Sequence, residues 1–136
     1  MKLTGGQVVV QTLIQEGVPY LAGIPGHGTL GLSDALLGQD RLKYLQVRHE
    51  QAAVHLADGY YRVTGVPLAV STSIGPGAMN TAIGVASCYV DGIPVLVLTG
   101  NSHTHMAGRG ILQELSLIHI SEPTRLNSTS RMPSSA

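Results

Sequence analysis

The sequence predicts an α/β protein in which a doubly wound parallel sheet is flanked by helices. Two observations indicate this class. The first is a set of short, nearly continuous aliphatic runs, of which residues 93–98 are the clearest. Such runs are typical of strands that are covered on both faces. The second is that segments with apolar residues at helical spacing separate these runs, so that strand and helix alternate as in right-handed crossovers.

The pattern predicts four strands and four helices in alternation. We expect strands over residues 20–24, 44–47, 67–71 and 93–98. The first helix places Val8, Val9, Leu13 and Ile14 on one face and ends at Gly17. The second helix begins at Thr29 or Ser33, the third covers residues 49–64 with Gly65 just past its end, and the fourth covers residues 78–90.

The composition excludes several classes of protein. Lys and Arg number 8 and Asp and Glu number 8 in 136 residues, without a basic stripe, so no nucleic-acid partner is predicted. Cys88 is the single cysteine, which excludes an internal disulfide and a cysteine-based metal site. The first residues lack the apolar run of a signal peptide, and no apolar stretch is long enough to span a bilayer. We therefore expect a cytoplasmic domain without a membrane partner.

Residues 115–136 differ in character from the rest of the chain. Residues 115–125 and 130–136 can be written as codons that resemble two parts of a transposase adapter used in sequencing libraries, in the right order and frame. A natural Ser/Thr/Pro-rich tail is the alternative interpretation. We expect a partial domain over residues 1–114 and a non-native, disordered tail over residues 115–136. Without the tail, Lys plus Arg falls from 8 to 6 and Asp plus Glu from 8 to 7, a net charge of −1.

The topology predicts where a ligand site lies. In open α/β sheets, ligands bind beyond the carboxyl ends of the strands, where four segments of this chain fall: residues 23–29, 48–51, 72–80 and 99–105. Glu50 stands in the first turn of its helix, where an acid can simply complement the helix dipole. Gly75-Pro76-Gly77 is a turn that requires glycine dihedrals and also lets backbone approach a ligand. The motifs of phosphate-binding loops are absent from the sequence.

Four segments together resemble a known family. They are Arg48-His49-Glu50-Gln51-Ala52-Ala53, Ala57-Asp58-Gly59-Tyr60, residues 72–80 and Asp91-Gly92-Ile93-Pro94. In this order and spacing they resemble the pyrimidine-binding domain of thiamine diphosphate enzymes, and most of all acetolactate synthase-like proteins. The resemblance runs over residues 3–114. Complete domains of that family carry further strands, so the resemblance implies a truncated thiamine diphosphate-binding domain.

The resemblance implies roles for individual residues. In the family, the glutamate that matches Glu50 hydrogen-bonds pyrimidine N1′ of the cofactor, which lets the 4′-imino nitrogen remove the thiazolium proton. The turn that matches Gly75-Pro76-Gly77 packs on the aminopyrimidine, with Asn80 beside it. Gln113 matches a Gln-Glu pair near the cofactor. The cofactor-binding residues implied are Pro25, Gly26, Gly28, Glu50, Gly75, Pro76, Gly77, Asn80 and Gln113, and no residue of the chain is a metal ligand.

His27 departs from the pattern of acetolactate synthases, which tend to have glycine at this place. Several 2-keto acid decarboxylases have a polar side chain there, and Gly26-His27-Gly28 with the later Ser-Ile-Gly-Pro-Gly is similar to hydrolases that open cyclohexanedione rings. Two interpretations of His27 stay open: a second catalytic residue beside Glu50, and a histidine in a turn. The spacing of the other histidines does not indicate a metal site.

The resemblance implies the N-terminal fragment of an enzyme that decarboxylates a 2-keto acid and ligates the product. Alternatives are a ring-opening hydrolase, a simple decarboxylase with the same cofactor, a non-catalytic nucleotide-binding module, and a fragment that is inactive alone. In the family, a second domain with a Gly-Asp-Gly motif, absent here, binds diphosphate and magnesium. A second subunit completes the site in a homodimer or homotetramer, and FAD in the parent enzyme stays open.

Overall fold

The computed structural model describes residues 2–111 and 113–115, and its centre is a four-stranded parallel sheet. The strands are β1 Tyr20–Gly23, β2 Lys43–Gln46, β3 Ala69–Thr72 and β4 Leu96–Thr99. The helices are α1 Gly5–Gln15, α2 Leu30–Ala35, α3 Glu50–Thr64, α4 Pro76–Met79 and α5 Ala82–Val90, with short 3-10 turns at His27–Thr29 and Thr104–Met106. The strand order is β2-β1-β3-β4. The chain adds β2 on one side of β1 and then β3 and β4 on the other side, so the strand order reverses between β1 and β3.

Helices cover the sheet on both faces, which confirms the predicted fold class. In the register of the sheet Leu21 aligns with Ala69, and Ala22 aligns with Val70. Leu21 and Ala69 belong to the core cluster under α1 and α2, whereas Ala22 and Val70 belong to the cluster under α3 and α5. Because successive residues of a strand point to opposite faces, both sets must be apolar, and this produces the continuous runs in the sequence.

The ends of α1 and α3 follow local chemistry, and the sequence predicts the two glycines among them. Thr4 caps α1, with its side chain accepting from the Gln7 amide. Gly17 (φ 75°) and Gly65 (φ 70°) follow α1 and α3 in the left-handed conformation that glycine adopts at little cost. His49 caps α3, where its ring nitrogen accepts from the Gln51 amide at 3.3 Å. Glu50 is therefore the first residue of α3.

The predicted helix over residues 78–90 is wrong at its beginning. α4 ends at Met79 and α5 begins at Ala82. The Thr81 hydroxyl donates to the Ala78 carbonyl at 2.6 Å, and the Thr81 amide donates to the same oxygen at 3.1 Å. This tightened turn interrupts the regular helical ladder, since threonine side chains compete for backbone groups. Asn80 lies in the interruption.

The predicted strand over residues 93–98 is too long at its start. The Ile93 amide donates to the Cys88 carbonyl at 2.8 Å and so closes the end of α5. Pro94 has no amide proton to give to a ladder. Sheet pairing therefore begins at Leu96, whose amide donates to Leu68 at 3.2 Å.

Arg62 ties the far end of α3 to the turn after α5. Its Nε donates to Asp58 at 2.7 Å, and its terminal nitrogen pairs with Asp91. The hydrogen bond to Asp58, followed by the one to Asp91, raises the pKa of the guanidinium. The pair with Asp91 is exposed to solvent and adds little to the packing of α3 against α5.

The predicted tail lies almost entirely outside the described residues. Of residues 115–136 only Leu115 is described, and Leu112 also lies outside the described part of the chain. Within the described part of the chain, every helix is too short or too polar to cross a membrane.

Candidate functional site

Glu50 is a buried carboxyl group at the carboxyl-end edge of the sheet. It starts α3, the helix that follows β2, and only 8% of the residue is exposed. Charged residues are rarely buried unless they have a partner. The amide of Asn80 provides one, because Asn80 Nδ2 donates to Glu50 Oε2 at 2.8 Å. Glu50 begins α3, whereas Asn80 lies between α4 and α5, so the bond joins the starts of two neighbouring helical segments.

Gly77 keeps the second oxygen of this carboxyl group accessible. A Cβ placed on Gly77 would lie 3.0 Å from Glu50 Oε1, which is tighter than almost all real contacts of that kind. Among the described residues, no hydrogen-bond donor reaches Oε1. The structure thus brings Glu50, Gly77 and Asn80 together, and their binding of a cofactor stays a prediction.

Gly75 forms the sharp turn that leads from β3 into α4. Its φ of 57° lies in the left-handed region, and a Cβ there would stand 2.1 Å from the carbonyl oxygen of Gln113. Glycine is thus required twice at this position, for the dihedral and for the close approach. The contact brings Gln113 to the turn, and its role in cofactor binding stays a prediction.

Glu114 folds the loop that carries Gln113. Its carboxylate accepts from the backbone amides of Gly108, Gly110 and Ile111, the last two at 2.8 Å and 3.3 Å. These bonds, with that of Gly108 the largest, lower the pKa of the Glu114 carboxyl. Sequence reasoning assigned no role to Glu114, although the Gln-Glu pair was a signal for it.

The loops after β1 and β3 meet at the point where the strand order reverses. A Cβ on Gly26 would lie 2.4 Å from the Ser73 side chain, and one on Gly28 would lie 2.5 Å from Ile74 Cγ2. Open α/β sheets bind ligands at this reversal. The two glycines predicted from the sequence therefore let these loops pack against each other.

A cavity of about 670 Å³ lies beside this junction. His27, Gly28 and Gln113 line it, together with Ile74 from the loop after β3. Sequence reasoning missed the remaining lining residues as individuals: Leu30, Gly31, Asn101, Ser102, His103, Met106 and Ile111. Asn101, Ser102 and His103 fall within the segment 99–105 expected at this edge. The other four lie outside the expected segments, in α2 or after residue 105.

The site residues thus fall into two neighbouring groups. Glu50, Gly77 and Asn80 form a polar cluster, whereas His27 and Gln113 line the cavity. Residues 74 and 75 join the groups, and a smaller cavity of about 120 Å³ at Gly75 and Gln113 adjoins them. Pro25 and Pro76 are exposed and line none of these cavities.

Among the described residues, two histidine rings stack on each other. The rings of His103 and His105 stack with centroids 5.6 Å apart, in the loop after β4. His55 lies on the exposed face of α3, next to Gln51. No group of three or more His, Cys, Asp or Glu side chains suited to a metal occurs in the described residues.

Comparison with known proteins places this arrangement in a family. Residues 3–120 match the family described as "Thiamine pyrophosphate enzyme, N-terminal TPP binding domain". The match extends past Glu114, to residue 120.

Relatives with this segment are similar over most of the chain. The acetolactate synthase large subunit of Haemophilus influenzae is 41% identical over 122 residues, which are 90% of this chain and 21% of that protein. The acetolactate synthase isozyme 3 large subunit of Escherichia coli is 43% identical over 121 residues, which are 89% of this chain and 21% of that protein. The mitochondrial acetolactate synthase catalytic subunit of Saccharomyces cerevisiae is 37% identical over 119 residues, which are 88% of this chain and 17% of that protein. The chain spans about a fifth of the length of these relatives.

Proposed function

Because the chain belongs to the thiamine pyrophosphate enzyme family, as its N-terminal TPP-binding domain, we propose that it supplies the pyrimidine half of a cofactor site in an acetolactate synthase-like enzyme. The observation that carries the proposal is the Glu50 carboxyl group, which is buried, fixed through Oε2 and open at Oε1. The relatives are named acetolactate synthases, which supports a 2-keto acid as the substrate of the parent enzyme.

The residues present fit an aminopyrimidine ring. A ring nitrogen needs a partner that can share a proton, and Glu50 Oε1 is such a group beside the side-chain-free Gly77. Gly77 presents backbone and no side chain beside Oε1, so a flat ring can approach the carboxyl group there. The sequence contains no Gly-Asp-Gly motif, which supports placing the diphosphate and its magnesium ion on another part of the parent enzyme.

Each group of residues has its own task in this proposal. When bound, thiamine diphosphate supplies a nucleophilic thiazolium carbon, so the protein has to bind, orient and move one proton. Glu50 holds that proton at Oε1. His27 and Gln113 face the cavity of about 670 Å³, which has room for a small 2-keto acid and for the second keto acid of a ligation. The proposal includes a second subunit that completes the site, as the family resemblance implies.

Substitution of Glu50 tests the proposal. In the full-length enzyme that contains this segment, Glu50→Gln keeps the size of the side chain and the contact with Asn80 but cannot transfer the proton. We expect hydrogen–deuterium exchange at the thiazolium carbon of bound thiamine diphosphate to slow by about a hundred- to ten-thousand-fold, as loss of acid–base help implies.

The matched control is Glu16→Gln, at the exposed end of α1. This variant should exchange at the wild-type rate, because Glu16 precedes β1 at the amino-end edge of the sheet, opposite the edge at which Gly75 lies. Exchange by Glu50→Gln at the rate of wild type, with cofactor bound, would overturn the assignment of Glu50.

A further inference from the structure

Asn80 hydrogen-bonds only one of the two carboxyl oxygens of Glu50. Its amide nitrogen donates to Oε2 at 2.8 Å, across 30 residues of sequence. Oε1 faces Gly77 and takes no hydrogen bond from the described residues. Glu50 is buried, whereas Asn80 is exposed, so the contact arises from the placement of Asn80 and not from general burial.

This asymmetry decides which oxygen carries the proton. An amide N–H group can only donate, so the oxygen opposite it has to accept. In a protonated carboxyl group the carbonyl oxygen is the better acceptor. The bond from Asn80 therefore keeps Oε2 as the acceptor and leaves Oε1 as the oxygen that holds the proton, on the side of the turn at Gly75.

We propose that Asn80 is a positioning residue that directs the proton of Glu50 to Oε1, and that it acts through Glu50 without binding the cofactor itself. This inference rests on the proposed function of Glu50. It replaces the expectation from the sequence that Asn80 contacts the cofactor directly.

The interruption between α4 and α5 places Asn80 for this task. The backbone N–H of Asn80 donates to the Pro76 carbonyl at 3.0 Å, and this bond ends α4. Thr81 then draws its own hydroxyl and amide to the Ala78 carbonyl. Thr81 is 5% exposed, so this turn is anchored in the interior and Asn80 projects from it toward α3.

A double-mutant cycle in the full-length enzyme tests the proposal. The single variants are Glu50→Gln and Asn80→Ala, and the measurement is deuterium exchange at the thiazolium carbon with thiamine diphosphate and magnesium bound. We expect Asn80→Ala to slow exchange by up to about tenfold, since the hydrogen bond that keeps Oε2 as the acceptor is lost. In the Glu50→Gln background the same change should have no further effect, because Asn80 acts only through Glu50.

The outcomes separate this proposal from the function on which it rests. If Glu50→Gln leaves exchange unchanged, the proposed function fails. If Glu50→Gln slows exchange but Asn80→Ala slows it further in the double variant, Glu50 keeps its role and the positioning role of Asn80 is overturned in favour of direct cofactor contact.

A charged side chain at residue 80 gives a second test of the positioning role, through the pH dependence of exchange. Asn80→Asp can donate to Oε2 only while the new carboxyl group keeps its own proton, so exchange should fall with rising pH more steeply than in wild type. Gln11→Glu adds the same charge on the exposed side of α1 and should leave the profile unchanged. Identical pH profiles for Asn80→Asp and wild type would contradict the proposal.

A measurement on the cofactor-free enzyme does not depend on folding of an Asn80 variant. With asparagine labelled by ¹⁵N in the side-chain amide, one Nδ2 proton of Asn80 should resonate downfield and exchange slowly with water. The signal should move to the position of a free amide in Glu50→Leu. An Asn80 amide that resembles a free one in wild type would overturn the hydrogen bond on which the inference depends.

Discussion

Gly84 of α5 lies against Val54 of α3 with no room for a side chain. A Cβ on Gly84 would stand 2.7 Å from Val54 Cβ and 2.8 Å from its Cγ1. Both residues are buried, at 0% exposure for Val54. The contact sets the distance between the helix that begins at Glu50 and the helix that follows Asn80.

Gly84→Ala should therefore destabilise the fold. Overpacking of a closed helix contact costs about 1–3 kcal/mol of unfolding free energy. Gly59→Ala, in the interior of α3 with nothing within 4 Å of the new Cβ, is the matched control. It should stabilise the chain by about 0.5–1 kcal/mol, since alanine favours helix. Urea-unfolding midpoints measure both, and a neutral Gly84→Ala would contradict the tight contact.

His27→Gly should change the products of the parent enzyme more than its stability. His27 is exposed, lies in the 3-10 turn after β1 and lines the cavity of about 670 Å³. Its removal enlarges the cavity and takes away a polar group, so the ratio of ligated to released product should shift severalfold. Loop positions accept glycine readily.

Product analysis with a 2-keto acid measures this ratio. His55→Gly, on the exposed face of α3 and outside the cavity, should leave the ratio unchanged. A product ratio indifferent to His27→Gly would assign His27 to the turn alone.

Leu96→Lys should reduce self-association of the 136-residue chain. β4 pairs only with β3 in the described residues, and Leu96 is 43% exposed on that side of the sheet. The opposite edge, β2, already carries the exposed Lys43. Charged residues protect unpaired strands against edge-to-edge association.

Light scattering at increasing concentration checks this prediction. Val63→Lys removes an even more exposed apolar side chain, at 86%, but from a helix. If Val63→Lys lowers association as much as Leu96→Lys does, general surface hydrophobicity and not the strand edge is responsible.

Cys88 should be unreactive in the folded chain. It is 1% exposed, and burial raises the pKa of its thiol. Iodoacetamide should label it much faster in urea than in buffer at pH 8. Because the folded pKa lies above the unfolded value of about 8.5, stability from the neutral thiol is complete below that pH and declines as the pH rises toward the folded pKa. Cys88→Ala should remove this alkaline decline. Equal labelling rates in buffer and urea would show that the thiol is accessible.

The sequence by itself determined the fold class and most helix and strand positions. Burial on both faces forces continuous aliphatic runs such as residues 68–70, and caps such as Gly65 need dihedrals that few residues adopt. It also placed Glu50 and the turn at Gly75 at the same edge of the sheet, since parallel strands put all their carboxyl ends on one side.

Only the tertiary structure decided which of these residues touch. The bond between Asn80 and Glu50 depends on the interruption at Thr81, which a helical pattern over residues 78–90 does not reveal. The lining of the cavity by residues after β4 depends on how the loop held by Glu114 folds back. Such contacts join segments 30 or more positions apart, and local propensities carry no information about the distances between them.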